Sequence, residues 1–366
     1  LYERVAGHWC ALYRGCSIAY ARDVATVAED LTRVRPTVMV SVPRIYEKLR
    51  ARVEARAEAG GPLARRIFRW ALAAGRRYHE ARHRGAPGAG LGFANAVADQ
   101  LVFRRVRARL GGRFRHPISG GAALSVETLQ FFDAMGWHIV EGYGMTETHL
   151  IVTLTPPGRT RYGSCGVPIP GIEVAVAADG EVLVRGPTVM SGYFGLEEAT
   201  REAIDPEGWL HTGDIGRLDE DGFLYITDRK KNLLVTAGGK NVAPAPIEND
   251  LKTSLYIEEA CVIGDGRKFI AALIVPDFAT LDAWAEARGL GALDRAALAA
   301  HPDVNALILG EVRARQGGYA SHEQVKKCLV LAEPFSVERG ELTPSLKVRR
   351  KVVEQRYREE IERLYA

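Results

Sequence analysis

The sequence is poor in cysteine, and its five cysteines form no recognisable pattern. They are odd in number and scattered along the chain, and no two of them make a Cys-x-x-Cys pair. This distribution argues against a zinc site built from cysteine and against a disulfide framework, and it predicts a protein of the reducing cytoplasm. The five are Cys10, Cys16, Cys165, Cys261 and Cys328.

Long apolar runs, internal repeats and a leader sequence are absent as well. No apolar run approaches the ~20 residues that a transmembrane helix needs, so we predict no membrane span. The chain opens at Leu1 without an initiator methionine or a charged leader, and we expect it to continue a longer protein that has lost its N-terminal part.

Length and composition are those of a soluble protein with more than one domain. The 366 residues exceed what one compact core usually holds. Apolar residues make up 47% and charged residues 26% of the chain, which is ordinary for a globular protein.

The net charge of +4 is distributed unevenly. Residues 50–115 contain sixteen arginines against only four acidic residues, so the remainder of the chain is acidic. Such a basic segment can attract anionic membrane, nucleic acid or polyphosphate, or it can simply be a solvated helical surface. The aromatic residues that could stack on bases are Phe68, Trp70 and Phe103, and their helical spacing predicts that they lie in the core. We therefore expect no nucleic acid as a partner and keep peripheral contact with an anionic membrane as a hypothesis.

The order of apolar patterns predicts an α/β fold. Residues 17–45 have a strand–helix–strand rhythm, with strands over 17–20 and 37–42. Residues 44–115 read as a helical, basic insertion, in which 94–110 form one helix. Residues 163–227 are rich in Gly, Pro and short β runs and predict a β-rich subdomain.

A domain boundary is predicted at the charged turn that starts at Asp228. Residues 1–227 would form an incomplete large domain, and residues 228–366 a smaller, mobile α+β domain. The latter ends in a charged helix over 351–365.

The candidate binding and catalytic residues lie in four loops that follow apparent strands. This is where they are expected, because ligands of α/β folds bind at the carboxyl ends of strands. The first has paired glycines, Gly120 and Gly121, which allow close approach of backbone to a ligand. The second spans 141–148, where Tyr143 can stack on a base, Thr146 can contact phosphate and Glu147 can bind Mg²⁺.

The third loop contains Asp214, whose carboxylate can accept hydrogen bonds from both hydroxyls of a ribose, although an Asp at a turn is often only a cap. The fourth, 228–241, joins a cationic turn to a Gly-Gly bend. Near the C-terminus, Lys347 lies among other cations.

In this order and spacing, these segments resemble the adenylate-forming (AMP-binding) superfamily, which includes acyl-CoA synthetases, firefly luciferase and the adenylation domains of peptide synthetases. The resemblance runs from residue 1 to residue 366, and the sequences Gly-Tyr-Gly-Met-Thr-Glu-Thr and His-Thr-Gly-Asp-Ile-Gly are its most specific parts. The long-chain fatty-acid–CoA ligase branch is resembled most at 41–49, at 238–244, at 342–347 and in the helical insertion.

The resemblance implies a nucleotide site. Tyr143 would stack on adenine, Thr146 would contact phosphate, Glu147 would hold Mg²⁺, and Asp214 would bind the ribose hydroxyls with support from Arg229. The full implied ATP- and AMP-binding set is Gly120, Gly121, Ala122, Glu141, Gly142, Tyr143, Gly144, Met145, Thr146, Asp214, Arg229 and Lys347.

The resemblance also implies which residues serve each half of the reaction. Lys347 would be the adenylation lysine, with Thr146 and Glu147 as its catalytic partners. Asp228 would be the hinge about which the small domain rotates between the two halves. The channel for the pantetheine arm of CoA would pass Gly238, Gly239 and Lys240.

Two departures from the family pattern stand out. Leu346 replaces the glycine that many members have before the lysine. The family's Ser/Thr/Gly-rich phosphate loop is missing, so we expect residue 1 to fall just after it and this chain alone not to bind ATP productively.

The implied function is activation of a long-chain fatty acid by ATP, first to acyl-AMP and then to acyl-CoA. Mg²⁺ and CoA are the implied metal and co-substrate. Two alternatives stay open, namely a ligase for an aromatic or medium-chain acid and a non-catalytic acyl-binding homologue.

Overall fold

The computed structural model describes residues 2–23, 26–343 and 347–366, and the chain divides into two compact units. The first unit is Leu1–Ile226 and the second is Thr227–Ala366. Both units mix helices with sheets, which agrees with the predicted α/β class.

The first unit contains a five-stranded sheet in the order β1-β2-β3-β4-β5. The first three strands are parallel, and the last two pairings are antiparallel. The carboxyl ends of neighbouring parallel strands lie at the same edge of a sheet. The loops that follow β2 and β3 therefore lie close together. The strands are β1 (Val38–Ser41), β2 (His116–Ser119), β3 (Val140–Tyr143), β4 (Thr153–Leu154) and β5 (Val167–Pro168).

Helices form most of the rest of this unit before β3. Pro43 is the first residue of α3 and follows the extended residue Val42. Proline is favourable there because it lacks a backbone N–H, and the first N–H groups of a helix have no partner within the helix. Ser125 caps α7, and its hydroxyl accepts a hydrogen bond from the Thr128 N–H at 3.3 Å. The helices are α1 (Cys10–Tyr13), α2 (Val27–Val34), α3 (Pro43–Ala59), α4 (Gly61–Arg84), α5 (Ala89–Ala98), α6 (Arg104–Arg109) and α7 (Val126–Ala134), with π-helical turns at Glu3–Trp9 and Asp99–Phe103.

A second sheet follows in the order β6-β7-β8-β9, with β6 and β8 antiparallel to β7. Its strands are β6 (Glu173–Val176), β7 (Glu181–Arg185), β8 (Leu210–Leu218) and β9 (Leu224–Arg229), and the short helix α8 (Glu197–Ala203) precedes β8.

The second unit is built on a three-stranded sheet in the order β12-β13-β14. Every residue of β13 is buried, and successive side chains enter two different cores because the strand period is two. Ile274 packs with helices α9 to α12, whereas Val275 packs with α13 and α14. The strands are β12 (Ile257–Ile263), β13 (Ala271–Pro276) and β14 (Lys327–Val330), and a small hairpin pairs β10 (Leu234–Val235) with β11 (Asn241–Val242).

Among the described residues of this unit, six α-helices flank these strands. They are α9 (Pro244–Leu251), α10 (Phe278–Glu286), α11 (Arg295–Ala300), α12 (Pro302–Ala314), α13 (Arg350–Arg356) and α14 (Arg358–Tyr365).

Several sequence predictions of individual elements were wrong. Residues 17–20 form no strand. The helix predicted over 94–110 is confirmed as one helical stretch through α5 and α6, with a π-helical turn at Asp99–Phe103. The C-terminal helix is broken at Tyr357. Trp70, predicted to lie in the core, is 44% exposed, whereas its neighbour Phe68 is buried.

Candidate active site

The glycine pair that follows β2 lies beside an aromatic ring. A side chain at Gly120 would place its Cβ 2.7 Å from the Tyr2 ring, and the Tyr2 hydroxyl donates a hydrogen bond to the Ser41 carbonyl at 3.2 Å. Gly121 has a φ of +82°, which favours glycine, and it is exposed together with Ala122. The first predicted loop therefore lies at the carboxyl edge of β1 and β2.

The second loop is a closed turn after β3. A Cβ at Gly144 would lie 1.4 Å from the Leu150 carbonyl oxygen, so only glycine fits where the loop crosses itself. The Leu150 N–H donates to the Met145 carbonyl at 3.1 Å, and the Val152 N–H donates to the Tyr143 carbonyl at 2.8 Å. Leu150 itself has a φ of +109°, a strained value for a residue with a side chain.

A hydrogen bond joins the second and third predicted loops. The Tyr143 hydroxyl donates to the Asp214 carboxylate at 2.7 Å, and Asp214 is 4% exposed. Burial and the Asp214 charge both raise the pKa of the Tyr143 phenol, so it stays a donor at neutral pH. An aromatic face and a carboxylate acceptor are thus held side by side.

Asp214 owes its orientation to a bulge in β8. The register between β7 and β8 shifts near Glu181, and Gly213 there has a φ of +69°. The buried Glu181 carboxylate accepts from the Gly213 N–H at 2.9 Å, and the Thr212 hydroxyl donates to the Val182 carbonyl at 2.7 Å. Sequence reasoning did not single out Glu181, since nothing in a lone strand glutamate distinguishes it.

Glu147 has a partner that sequence reasoning also missed. The Tyr193 hydroxyl donates to the Glu147 carboxylate at 3.0 Å, and the Met190 N–H donates to the Glu147 carbonyl at 2.8 Å. The half-buried carboxylate is therefore held in place beside the exposed Thr146. A positioned carboxylate next to a hydroxyl fits Mg²⁺, which typically takes one or two carboxylates and completes its shell with water and substrate phosphates.

Glu141 stands at the start of the second loop with an unusual protonation equilibrium. Its carboxylate accepts a hydrogen bond from the Leu124 N–H at 3.3 Å. Burial of this carboxyl outweighs that hydrogen bond and raises its pKa to about 8. Glu141 is consequently neutral at pH 7.

In the second unit, Asp228 anchors the end of β9 to the first turn of α9. Its carboxylate accepts from the Arg229 N–H at 2.6 Å and from the Ala245 N–H at 3.0 Å. The side chain is 4% exposed, and burial raises its pKa despite these two bonds. The Asp228 carboxylate thus belongs structurally to the second unit, while the Arg229 side chain is exposed.

The Gly-Gly bend is the tip of the hairpin formed by β10 and β11. The Gly239 N–H donates to the Thr236 carbonyl at 2.8 Å, and the Lys240 N–H donates to the Thr236 hydroxyl at 3.1 Å. Gly239 has a φ of +71°, so the turn itself requires glycine. Gly238, Gly239 and Lys240 are all exposed.

Lys347 is exposed on a turn that is closed by its own backbone. Its N–H donates to the Thr343 hydroxyl at 3.0 Å, its carbonyl accepts from the Thr343 N–H at 2.9 Å, and a β-bridge joins Leu342 to Val348. Residues 344–346, which include Leu346 of the predicted lysine loop, lie outside the described residues.

The structure therefore places the predicted residues in two groups. Within the first unit the glycine pair, the second loop and Asp214 lie on neighbouring strands and loops. Within the second unit Asp228, the hairpin tip and Lys347 occupy separate turns.

Comparison with known proteins identifies the class of protein that this fold and these loops define. The sequence profile described as AMP-binding enzyme matches residues 1–194, and that of the AMP-binding enzyme C-terminal domain matches residues 231–366. The chain belongs to the AMP-binding enzyme family.

Curated relatives are similar along almost the whole chain. It is 40% identical to the long-chain-fatty-acid–CoA ligase FadD15 of Mycobacterium bovis over 97% of this chain. It is 34% identical to the peroxisomal long chain acyl-CoA synthetase 6 of Arabidopsis thaliana over 100% of this chain. The chain spans 59% of the first relative and 53% of the second.

Solved structures share the fold. The adenylation domain of a carboxylate reductase from Mycobacterium chelonae matches with a TM-score of 0.70 and 24% identity, over 95% of this chain and 49% of that one. The O-succinylbenzoate CoA synthetase of Bacillus subtilis, in complex with ATP and magnesium ion, matches with a TM-score of 0.61 and 21% identity, over 95% and 58%. These matches confirm the α/β adenylation fold with a C-terminal domain.

Proposed function

We propose that the protein activates a long-chain fatty acid with ATP, first forming acyl-AMP and pyrophosphate and then acyl-CoA and AMP. The identities of 34–40% to long-chain acyl-CoA ligases across nearly the whole chain support the choice of substrate class. A free carboxylate is a poor acyl donor because its leaving group would be oxide, and conversion to the acyl-adenylate supplies a far better one.

The observation that carries the proposal is the hydrogen bond between Tyr143 and Asp214 at 2.7 Å. It holds a ring able to stack on adenine next to a carboxylate able to accept hydrogen bonds from two ribose hydroxyls. The exposed amides of Gly121 and Ala122 lie after the neighbouring strand, where a flat base could approach the backbone.

The first half-reaction builds negative charge around the α-phosphorus, and its catalysis is a matter of positioning and electrostatics. Thr146 offers its hydroxyl to a phosphate oxygen, and Lys347 supplies a cation. Glu147, positioned by Tyr193, would hold Mg²⁺, which neutralises phosphate charge when bound. No nucleophile from the protein is needed, since the substrate carboxylate attacks phosphorus directly.

The second half-reaction transfers the acyl group to the thiol of CoA and releases AMP. We assign the passage of the pantetheine arm to the hairpin tip with Gly238, Gly239 and Lys240. The tip is exposed, and apart from Gly239 and its two chain neighbours no described residue has an atom within 4 Å of the position that a Cβ at Gly239 would take. Asp228 is assigned the hinge, because its hydrogen bond from the Ala245 N–H ties the end of β9 to α9 of the second unit.

The experiment that tests this function measures thioester formation by the full-length protein. ATP, CoA and a series of acids of about eight to twenty carbons are supplied, together with benzoate as an aromatic acid. The proposal predicts the highest kcat/KM for acids of about sixteen carbons or more. A preference for benzoate or for medium-chain acids would contradict the long-chain assignment, and the absence of any thioester would contradict ligase activity.

We further propose that the basic helical segment, residues 44–115, contacts anionic membrane, where fatty acids partition. A cavity of about 370 Å³ between α3, α4 and α6 supports this, because its walls are apolar and its lining includes exposed arginines. In the described part of the chain no helix is long and apolar enough to cross a bilayer. The arginines of the lining are Arg52, Arg56, Arg105 and Arg109.

A further inference from the structure

Three histidines and a tyrosine surround one buried carboxylate, away from the candidate nucleotide loops. Asp133 at the end of α7 is 3% exposed, and the His83 Nε2 lies 2.9 Å from its carboxylate. His138 Nδ1 and the Tyr162 hydroxyl also contact the two carboxylate oxygens. His79 packs against the His138 ring with 5.2 Å between ring centroids.

Helix α4 presents two of these histidines because of its close contact with α7. Gly75, His79 and His83 recur at intervals of four and therefore share one face. A Cβ at Gly75 would lie 2.3 Å from the Ala134 carbonyl oxygen, so the glycine lets the two helices approach closely. That approach places His79 and His83 beside Asp133.

One ring nitrogen of the buried His79 has no hydrogen-bond partner among the described residues. Its side chain is 4% exposed, yet Nδ1 makes no hydrogen bond to any described residue. Buried polar atoms of side chains are usually satisfied, and an exception calls for an explanation such as an ion.

We propose that His79, Asp133 and His138 bind a divalent transition-metal ion, most suitably Zn²⁺. One ligand atom from each residue lies within 4.8 Å of the other two. Tetrahedral zinc at ~2.0–2.1 Å from each ligand needs ligand spacings of about 3.3 Å. The widest spacing must therefore close by up to about 1.5 Å, and the His138 nitrogen that contacts the Asp133 carboxylate must draw back to admit the ion. The His138 side chain is 42% exposed and can make this adjustment.

The donor atoms of the cluster, two imidazole nitrogens and a carboxylate oxygen, suit a metal. Neutral imidazole and carboxylate are ligands that zinc accepts.

His83 and Tyr162 would orient the metal-bound carboxylate through their hydrogen bonds to it. The exposed side of His138 leaves room for a water molecule as the fourth ligand. Such a site would be structural, because it ties α4 of the basic helical segment to α7 and to the segment before β3.

The test measures zinc binding by the chain after treatment with EDTA and alkylation of the exposed thiols of Cys10 and Cys16. Competition with a chromophoric chelator should show one zinc per chain, and Co²⁺ should give the intense visible absorption of a tetrahedral site. Zinc should also raise the melting temperature, as expected for a ligand that binds only the folded state.

Two variants and a matched control locate the site. His79→Gln and His138→Gln should each weaken zinc binding by about 10-fold or more, whereas His116→Gln, at an exposed histidine on β2, should leave it unchanged. Far-UV circular dichroism without zinc verifies that each variant is folded. If His79→Gln does not fold, His138→Gln still tests the site, because His138 is only half-buried. Absence of stoichiometric zinc binding, or equal affinity in all three variants, would overturn the proposal and leave Asp133 as the centre of a hydrogen-bonded cluster.

Discussion

Glu141 is the residue whose charge state should most change stability with pH. The folded protein keeps its proton up to about pH 8, whereas an unfolded chain releases it near the ordinary glutamate value. Between these values the folded state binds more protons, so the free energy of unfolding falls as pH rises. Glu141→Gln keeps an acceptor for the Leu124 N–H and removes the titration.

We predict that wild type loses about 3–4 kcal/mol of stability relative to Glu141→Gln between about pH 5 and about pH 8. Urea unfolding of both proteins at several pH values measures this difference. Parallel stability curves would show that the carboxyl is ionised in the folded protein.

At the scale of single residues, the candidate site residues could be chosen from the sequence, but their hydrogen-bond partners could not. Tyr143, Glu147 and Asp214 stand in motifs that could be read directly from the chain. Their partnerships with one another and with Tyr193 depend on which strands are neighbours and on the bulge at Gly213. The spacing of residues along the chain does not predict such contacts between residues that are far apart in the sequence.

At the scale of elements, Gly75 should be indispensable for the contact between α4 and α7. Gly75→Ala would place a methyl carbon 2.3 Å from the Ala134 carbonyl oxygen, and we expect a loss of about 1–3 kcal/mol as the helices move apart. Gly92→Ala in α5 is the matched control, since its added Cβ would meet no described atom within 4 Å beyond its chain neighbours and the nearby backbone of its own helix. Alanine also favours a helix by up to about 1 kcal/mol. Chemical denaturation of both variants measures the effect, and equal stability of Gly75→Ala and wild type would disprove close packing there.

The basic helical segment should bind anionic vesicles in a salt-dependent manner. Each arginine near such a surface contributes about 1 kcal/mol, so the double variant Arg52→Gln/Arg105→Gln should bind about 10-fold to 30-fold more weakly. Arg201→Gln/Arg313→Gln, which removes two exposed arginines elsewhere, is the control. Co-sedimentation with phosphatidylserine-containing and purely neutral vesicles, at about 50 and about 300 mM salt, measures the binding. Equal binding to neutral vesicles would refute an electrostatic contact.

The elements that the sequence predicted well are those with a strong local signal. Helix α7 begins directly after Ser125, a residue type that favours the N-cap, and β7 and β13 coincide with apolar runs. The predicted strand over 17–20 had an apolar pattern but no neighbour to pair with among the described residues. The π-helical turn at Asp99–Phe103 and the break at Tyr357 have no counterpart in the apolar periodicity of the sequence.

At the scale of the whole molecule, the fold could be predicted because several specific motifs occur in a fixed order. The division into Leu1–Ile226 and Thr227–Ala366 lies next to the predicted hinge at Asp228. The function of that hinge stays a prediction, as do the roles of the hairpin tip and of Lys347. Apolar patterning indicates which side chains are buried, but not which loops act together during a reaction.

The central claim is that the two half-reactions use different turns of the second unit. Lys347 supplies charge needed only while the α-phosphate is attacked, and the hairpin tip gives passage to CoA. Gly238 is the better position for a blocking side chain, because Gly239 needs its positive φ and a substitution there would strain the turn.

The most direct measurement follows both half-reactions in the full-length protein, with purified acyl-AMP for the second. Lys347→Ala should slow acyl-AMP formation by about 100-fold or more and still convert supplied acyl-AMP and CoA to thioester. Gly238→Leu should form acyl-AMP normally and slow thioester formation by about 10-fold or more. If each variant impairs both half-reactions to the same extent, the division of labour between Lys347 and the hairpin tip is wrong.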